Sequence, residues 1–272
     1  VPGRYYEEIH ASIAYIHKHL YEPLTLAELA RHAAYSPYHF TRIFKEQIGI
    51  SPQYYISSLR LQRAKDLLLG TGLSIRDISL EVGQQSLGTF TTRFTEKVGM
   101  TPSEFRHSSD KAVQSLRSLH HLNEWGLSGS LSSESSSGRY SVVEGNITAE
   151  LPFQGVILIG LFAKPIPEGL PLYGTLLSSP GKFRFLHVKP GTYYLMATSV
   201  AWSSSTLEVL LPYSTLRARS LEPIVVNKGE IVPSQEIKLH PPRLDDPPIL
   251  ISLPVLMNQY LNRVRTIHLQ SR

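Results

Sequence analysis

The sequence predicts a multidomain chain of α plus β class: an all-α domain built from two helix-turn-helix units, then an antiparallel β-sandwich domain, then a C-terminal helix. Three observations carry this. Residues 36–52 (SPYHFTRIFKEQIGISP) return at 86–102 (SLGTFTTRFTEKVGMTP) with an offset of 50, sharing Ser36/Ser86, Phe40/Phe90, Thr41/Thr91, Phe44/Phe94, Glu46/Glu96, Gly49/Gly99 and Pro52/Pro102. Between the two copies runs one uninterrupted helical stretch, Ser51–Leu69. After the Ser/Gly-rich run Ser128–Gly138, helical periodicity gives way to period-two alternation broken by Pro and Gly.

In chain order, Ile9, Ile13, Ile16 and Leu20 make a helical stripe over Tyr5–Leu20, which Glu22-Pro23 ends. Thr25 followed by Glu28 is a capping box opening a helix over Leu26–Ala33; Ser74 with Asp77 is its counterpart before Ile75–Val82, with a shorter carboxylate. Residues 24–34 (LTLAELARHAA) and 73–83 (LSIRDISLEVG) align at an offset of 49, so the second copy carries one extra turn residue, at Gln84–Gln85. The second helix of each unit is predicted over Pro37–Gln47 and Leu87–Lys97. Between the units, Ser51 caps the long rod and Pro52 suits its first turn, while Gly70 and Gly72 are expected to stop it. Tyr55, Leu59, Gln62, Ala64 and Leu67 give the rod a mixed face, as expected where two bodies grip one helix.

Phe40, Ile43 and Phe44 form a core stripe in the first of the paired helices, and Phe90 and Phe94 in the second. The other faces carry Tyr38, Thr41, Arg42 and Lys45, and Gly88, Thr89, Thr92 and Arg93. Residues spaced i, i+3, i+4 and i+7 share a face, so Tyr38, Thr41, Arg42 and Lys45 point into one groove together. For one copy alone, a solvated helix face is an equal reading. Two copies in step on a rod favour nucleic acid, because units about one duplex turn apart, roughly 34 Å, read two successive major grooves from one side.

Residues 5–107 closely resemble the DNA-binding domain of the AraC/XylS family of transcription regulators. The resemblance rests on both Gly-x-(Ser/Thr)-Pro exits (Gly49–Pro52, Gly99–Pro102), Arg60 and Ala64 in the rod, and the Phe105-Arg106 ending. It implies base-facing roles for Tyr38, Thr41 and Arg42 in the first unit and for Leu87, Gly88, Thr89 and Thr92 in the second. With the N-caps Ser36 and Ser86 and the neighbouring His39, Lys45 and Arg93, these are the candidate DNA contacts. The chain departs from the family pattern at Gln84, where an aromatic usually follows the glycine, and at Thr92, where arginine is frequent. The first unit is therefore expected to carry most base discrimination and the second more of the phosphate grip. In the usual family layout the sensing domain comes first; here the helical domain precedes the other.

The domain boundaries expected are 1–108 for the helical domain, 109–138 for a helix (Asp110–Trp125, with Val113, Leu116, Leu119 and Leu122 on one side) and linker, 139–246 for the sandwich and 247–272 for the C-terminal amphipathic helix. Strands are expected at Val142–Leu151, Gly155–Phe162, Lys182–Val188, Thr192–Ala201, Leu207–Leu211, Ile224–Val226 and Gln235–Leu239. The stretch GKFRFLHVKPGTYYLMA resembles the Gly-x-Phe-x-Phe…Pro-Gly-x-Tyr signature of carboxypeptidase-regulatory or prealbumin-like sandwiches. Trp202, Tyr193 and Tyr194 are candidates either for a ligand pocket or for the core. In the tail, Leu253, Leu256, Met257, Tyr260, Leu261 and Val264 make a helical stripe that packs back on the sandwich or forms a dimer contact.

At 272 residues the chain has length for two cores, and without cysteine it has neither disulfides nor thiolate chemistry. Neither a membrane-length apolar run nor a signal pattern is present, so a cytoplasmic location is the default. The net charge is only +5, and residues 1–107 carry 12 Lys/Arg against 10 Asp/Glu, so charge distribution rather than total has to identify a nucleic-acid binder. His17 and His19 diverge on a helix and His120-His121 are adjacent, neither a metal-ligand spacing; no His-Glu-x-x-His, phosphate loop or Gly-x-Ser-x-Gly is present. The expectation is a non-enzymatic regulator without metal or cofactor. Its partner is double-stranded DNA, with RNA polymerase, a homodimer mate and a small effector or protein at the sandwich as further candidates.

Overall fold

The computed structural model describes residues 6–124 and 141–270, apart from the side chains of residues 6, 122–124 and 264–270. The predicted linker Ser128–Gly138, Trp125, and the side chains of Leu122 and Val264 lie outside that description. The chain divides into two compact units. One comprises Val1–Arg106 with two short returns of the chain, Pro165–Gly169 and Arg243–Leu250; the other comprises His107–Lys164, Leu170–Pro242 and Ile251–Arg272.

The first unit holds α1 (Tyr6–Lys18), α2 (Leu26–His32), α3 (Pro37–Ile48), α4 (Pro52–Gly70), α5 (Ile75–Glu81), α6 (Leu87–Val98) and α7 (Pro102–Arg106). The Thr25–Glu28 box closes in both directions at the start of α2. Before α5 only half of it forms: Ser74 accepts from the Asp77 amide, but the Asp77 carboxylate, one methylene short, takes the Ser74 hydroxyl at 2.6 Å instead. Helices α3 and α6 each start on a serine cap and end on a left-handed glycine, Gly49 and Gly99, both at φ 84°. Phe40, Ile43, Phe44 and Ile48 in α3, and Phe90, Phe94 and Val98 in α6, are buried.

The turns between α2 and α3 and between α5 and α6 share one construction. Tyr35 N–H reaches back to Ala30 O while Ala34 N–H reaches Arg31 O; Gln84 N–H and Gly83 N–H do the same to Ser79 O and Leu80 O. This double closure requires a left-handed residue just past the helix. Gly83 supplies it at φ 76°, but Ala34 stands at φ 58°, where a Cβ is disfavoured. The extra residue of the second copy falls after this closure and leaves it unchanged. Replacing Ala34 with Gly is expected to stabilise the helical unit by about 0.5–1 kcal/mol, and Gly83→Ala to destabilise it by a similar amount. Urea midpoints of the full chain would check both.

The rod α4 is buried on nearly every side, at Tyr55, Ile56, Leu59, Leu61, Ala64, Lys65 and Leu68 among others. It runs through Gly70 and ends at Thr71, whose backbone is extended and whose hydroxyl donates to the Leu67 carbonyl at 2.7 Å. Neither Gly70 nor Gly72 has a positive φ, so the stop predicted at the glycines is made by threonine. Arg60 and Arg106 hold the rod in place: Arg60 donates to the carbonyls of Leu20 and Glu22, and Arg106 to those of Leu68 and Leu73.

The second unit holds α8 (Ser109–Glu124), β1 (Ser141–Ala149), β2 (Gly155–Phe162), β3 (Tyr173–Leu177), β4 (Gly181–Val188), β5 (Gly191–Ala201), α9 (Thr206–Leu210), β6 (Arg217–Arg219), β7 (Ile224–Val226), β8 (Gln235–Leu239) and α10 (Leu253–Gln270). One sheet has the order β4-β1-β8, the other β3-β2-β5-β6 with β7 also on β5. Alternate residues of both sheets meet in one apolar cluster: Val143, Ile147, Phe183 and Phe185 from the first, Ile157, Ile159, Leu161 and Leu195 from the second. The all-antiparallel expectation needs correction, because β1 and β8 run parallel, Gly145–Ala149 against Gln235–Leu239. The strand predicted at Leu207–Leu211 is also corrected. It is helix α9, opened by a capping box in which Ser205 and Glu208 bond reciprocally, and local capping outweighs its apolar run. The stripe on α10, with Leu253, Met257, Tyr260 and Leu261 buried, packs against α8 and α9.

Candidate nucleic-acid interface

The outer faces of α3 and α6 hold the candidate residues. Ser36 and Ser86 cap the two helices, accepting from the amides of His39 and Thr89 at 3.3 Å each. Each serine oxygen spends one acceptor site on its cap and keeps its O–H donor. Tyr38 is 83% exposed and projects its ring and hydroxyl away from the core. Thr41 is half-buried and donates its hydroxyl proton to the Pro37 carbonyl at 2.8 Å. It keeps an acceptor and a methyl for any partner, a combination suited to the edge of thymine. Arg42 pairs with Glu46 one turn on, at 3.1 Å, both well exposed. Exposed i,i+4 pairs are worth only about 0.3–0.5 kcal/mol, so the guanidinium is released cheaply to a stronger acceptor. Lys45 is exposed. His39 is half-buried with its ring 4.9 Å from that of Tyr35 and faces the turn more than the outside.

On α6, Leu87, Gly88, Thr89, Thr92 and Arg93 are all exposed. A side chain at Gly88 would meet nothing nearer than Ser86 Oγ at 4.0 Å, so the outer face of the first turn is open to a close approach. Arg93 donates to Gln84 Oε1 at 3.3 Å. Gln84, the position where the sequence departs from the family pattern, is therefore in touch with the candidate face, a link that side-chain spacing alone did not reveal.

Sequence reasoning missed a second group beneath this face. Lys65, in the rod, is fully buried and donates to the carbonyls of Ile249 at 3.1 Å and Leu250 at 3.4 Å, with the Phe105 ring centroid 5.5 Å away. Loss of water pushes its ammonium down to about 7, with Asp66 pulling the other way. A lysine in the i+3 position from Gln62 gives no signal of burial in the sequence.

Residues 29–108 match the family model described as Helix-turn-helix domain. They form a helix-turn-helix domain. Over 104 residues the chain is 44% identical to the uncharacterized HTH-type transcriptional regulator YobQ of Bacillus subtilis, covering 38% of this chain and 43% of that protein. Over 95 residues it is 42% identical to the bifunctional transcriptional activator/DNA repair enzyme AdaA of the same organism, covering 35% and 45%. The chain thus spans less than half the length of either relative. Among solved structures, the C-terminal domain of AraT, a response regulator from Geobacillus stearothermophilus, is 31% identical, with 39% of this chain and 88% of that one covered at a TM-score of 0.36.

Outside the helix-turn-helix domain, the second unit contains a half-open cavity of about 410 Å³ between α8 and α9. Ala112, Val113, Leu116 and Val209 make its apolar part, and Arg117, His121 and Trp202 stand around them. The Trp202 and His120 rings meet edge-on at 4.7 Å. Tyr193, by contrast, is core: it is 5% exposed and its hydroxyl donates to Lys189 O. Among the described residues no group of three or more His, Asp or Glu is arranged to hold a metal ion, and no helix is long and apolar enough to cross a membrane.

Proposed function

We propose that the chain is a sequence-specific DNA-binding transcription regulator of AraC type, in which α3 and α6 enter two successive major grooves and the sheet-bearing part regulates. The observation that carries this reading is the matched construction of α3 and α6. Each has a serine cap, a buried aromatic stripe and an exposed polar face, and one rigid rod joins them. The relatives of this region bear names of transcriptional regulators, which supports the same reading. RNA polymerase is the natural protein partner of such a regulator.

The test is selection from a random DNA pool by the full chain, with the stoichiometry of the complex on the selected site. Two enriched blocks about one helical turn apart, occupied by one chain, are expected. One block would assign α6 to phosphate alone, and no enrichment would remove the reading. Within the selected site, Arg42→Ala is expected to relax preference at one base pair, costing about 1–3 kcal/mol of discrimination. Lys45→Ala should instead weaken all sequences alike and lower the salt slope by about 1. Repeating the selection with each variant, and titrating affinity against salt, checks the pair.

For the second unit a sensing role stands beside that of a passive dimerisation or protein-interaction module, and the cavity between α8 and α9 is where a small ligand would sit. Its lining mixes apolar Ala112, Val113, Leu116 and Val209 with polar Arg117 and His121, a mixture that small ligands use. A metabolite that raises the melting temperature of the full chain and shifts its DNA affinity would support sensing, because the two bindings must be linked reciprocally. A chain that responds to none and dimerises through this unit would favour the passive module.

A further inference from the structure

One polar cluster of the helical unit is built from residues that lie far apart in the chain. Glu168 belongs to the short return 165–169, which the chain makes between β2 and β3. Its side chain is 6% exposed and forms an ion pair with Lys97, itself 14% exposed, in the last turn of α6. The other carboxylate oxygen accepts from Tyr54 Oη of the rod. Lys97 Nζ lies 2.6 Å from that same tyrosine oxygen and 4.1 Å from the centre of its ring. Next along, Gly169 donates its amide to Lys97 O at 2.7 Å, satisfying one of the carbonyls that a helix leaves open at its C-terminus. Gly169 holds a left-handed φ of 63°, and a Cβ there would lie 3.1 Å from Glu96 O, so the backbone is pressed against the helix end.

The return is itself braced. Ile166 is fully buried, and Pro167 O accepts from Leu250 N–H at 3.0 Å, joining it to the second return, 243–250, whose carbonyls hold Lys65. The first copy has no counterpart. At an offset of 50, Gln47 stands in place of Lys97 and Glu104 in place of Tyr54, so α3 has no cation at that position.

We propose that Glu168 is a positioning residue for the second recognition helix: through Lys97 and Tyr54 it fixes the seat of α6 on α4, and thereby the reading of the second DNA block. This rests on the two-block reading above. A buried carboxylate shared between an ammonium and a phenol constrains direction as well as distance, which apolar packing of α6 through Phe90 and Phe94 does not do. The residues that set the second block would then lie in a stretch which touches no DNA, and the first block would be indifferent to it.

The test compares two duplexes, the selected two-block site and the same site with its second block scrambled, both bound by the full chain. Wild type is expected to prefer the intact site. Glu168→Gln, nearly isosteric, is expected to lose affinity for the intact site by between roughly 5- and 150-fold while binding the scrambled site as wild type does. Should that variant fold poorly, the double variant Lys97→Met, Glu168→Leu removes the ammonium and the carboxylate of the pair together and also lacks the directional bonds, and the same selective loss is expected in it. Unchanged affinity for the intact site in a folded variant overturns the inference. So does an equal loss on both duplexes, which would mark a general role in stability. A gain on both, from an unpaired Lys97 meeting phosphate, overturns it as well. If wild type itself does not distinguish the duplexes, the two-block reading fails first and takes the inference with it.

Discussion

A single methyl group added at Gly145 is expected to break the parallel pairing of β1 and β8. A Cβ at this position would lie 1.9 Å from Gln235 O, 2.7 Å from its carbonyl carbon and 2.9 Å from its nitrogen. All three are backbone atoms of the neighbouring strand, so no side chain can turn aside to make room. The strands must part, and with them goes the ladder from Gly145–Gln235 to Ala149–Leu239. Leu239 and Ile147, both fully buried in the cluster shared by the two sheets, would lose their packing. Gly145→Ala is expected to cost at least the upper end of the roughly 1–3 kcal/mol typical of overpacking. Gly72→Ala is the control, since a Cβ there meets nothing within 4 Å and its φ is not positive. Urea unfolding of the full chain should show the transition of the sheet-bearing unit moved strongly by the first variant and hardly by the second. Equal midpoints would show that β8 is not held as described.

The second large effect concerns pH. In the folded chain Lys65 loses its proton near 7, whereas in the unfolded chain an ordinary lysine holds it to about 10.5. Below about 7 both states are charged and the folded state bears the full cost of the buried ammonium. Between about 7 and 10.5 only the unfolded state holds the proton, so stability rises with pH, approaching about 1.4 kcal/mol per unit. Above that window the gain is complete. Lys65→Met removes the titration, and the difference between the wild-type and variant profiles isolates it from groups the two proteins share. The reading is cleanest between pH 7 and 9. His17, pushed down by burial, titrates below that range, and Tyr193 and Tyr260, pushed up, titrate above it. A flat difference profile would mean that Lys65 keeps an ordinary affinity for its proton. The neutral amine still donates to Ile249 O and Leu250 O, so the contacts themselves do not depend on the charge.

Local chemistry was the part of this fold that the sequence made legible. Ser51-Pro52 opens the rod, Thr25 and Glu28 close their box, and Gly49 and Gly99 end their helices, because each of these signals acts within four residues. The Ser205–Glu208 box belongs to the same kind of signal, but the strand expected at Leu207–Leu211 rests on the apolar run alone. Pairing at long range was not legible. β1 and β8 are joined across most of the second unit, and parallel register leaves no turn to read. The candidate interface shows the same division. Helical spacing put Tyr38, Thr41, Arg42 and Lys45 on one face, yet the bond from Thr41 to Pro37 O, the pair of Arg42 with Glu46 and the contact of Arg93 with Gln84 depend on rotamers that spacing does not specify. The cluster at Glu168 was invisible for a simpler reason. Its members are 71 and 114 positions apart from their partners.

The rod also has a geometric consequence for how such a chain can change. Because α4 is one continuous helix, inserting a single residue would shift everything beyond it by about 1.5 Å and rotate it by about 100°. Duplex DNA advances on a different screw, about 10–10.5 base pairs per turn. The two pitches do not share a small common step. On the two-block reading proposed above, a lineage that needed a different distance between its blocks would find no gradual path through the rod, and length changes would accumulate in the turns instead. Such a difference already stands between the two copies at Gln84–Gln85.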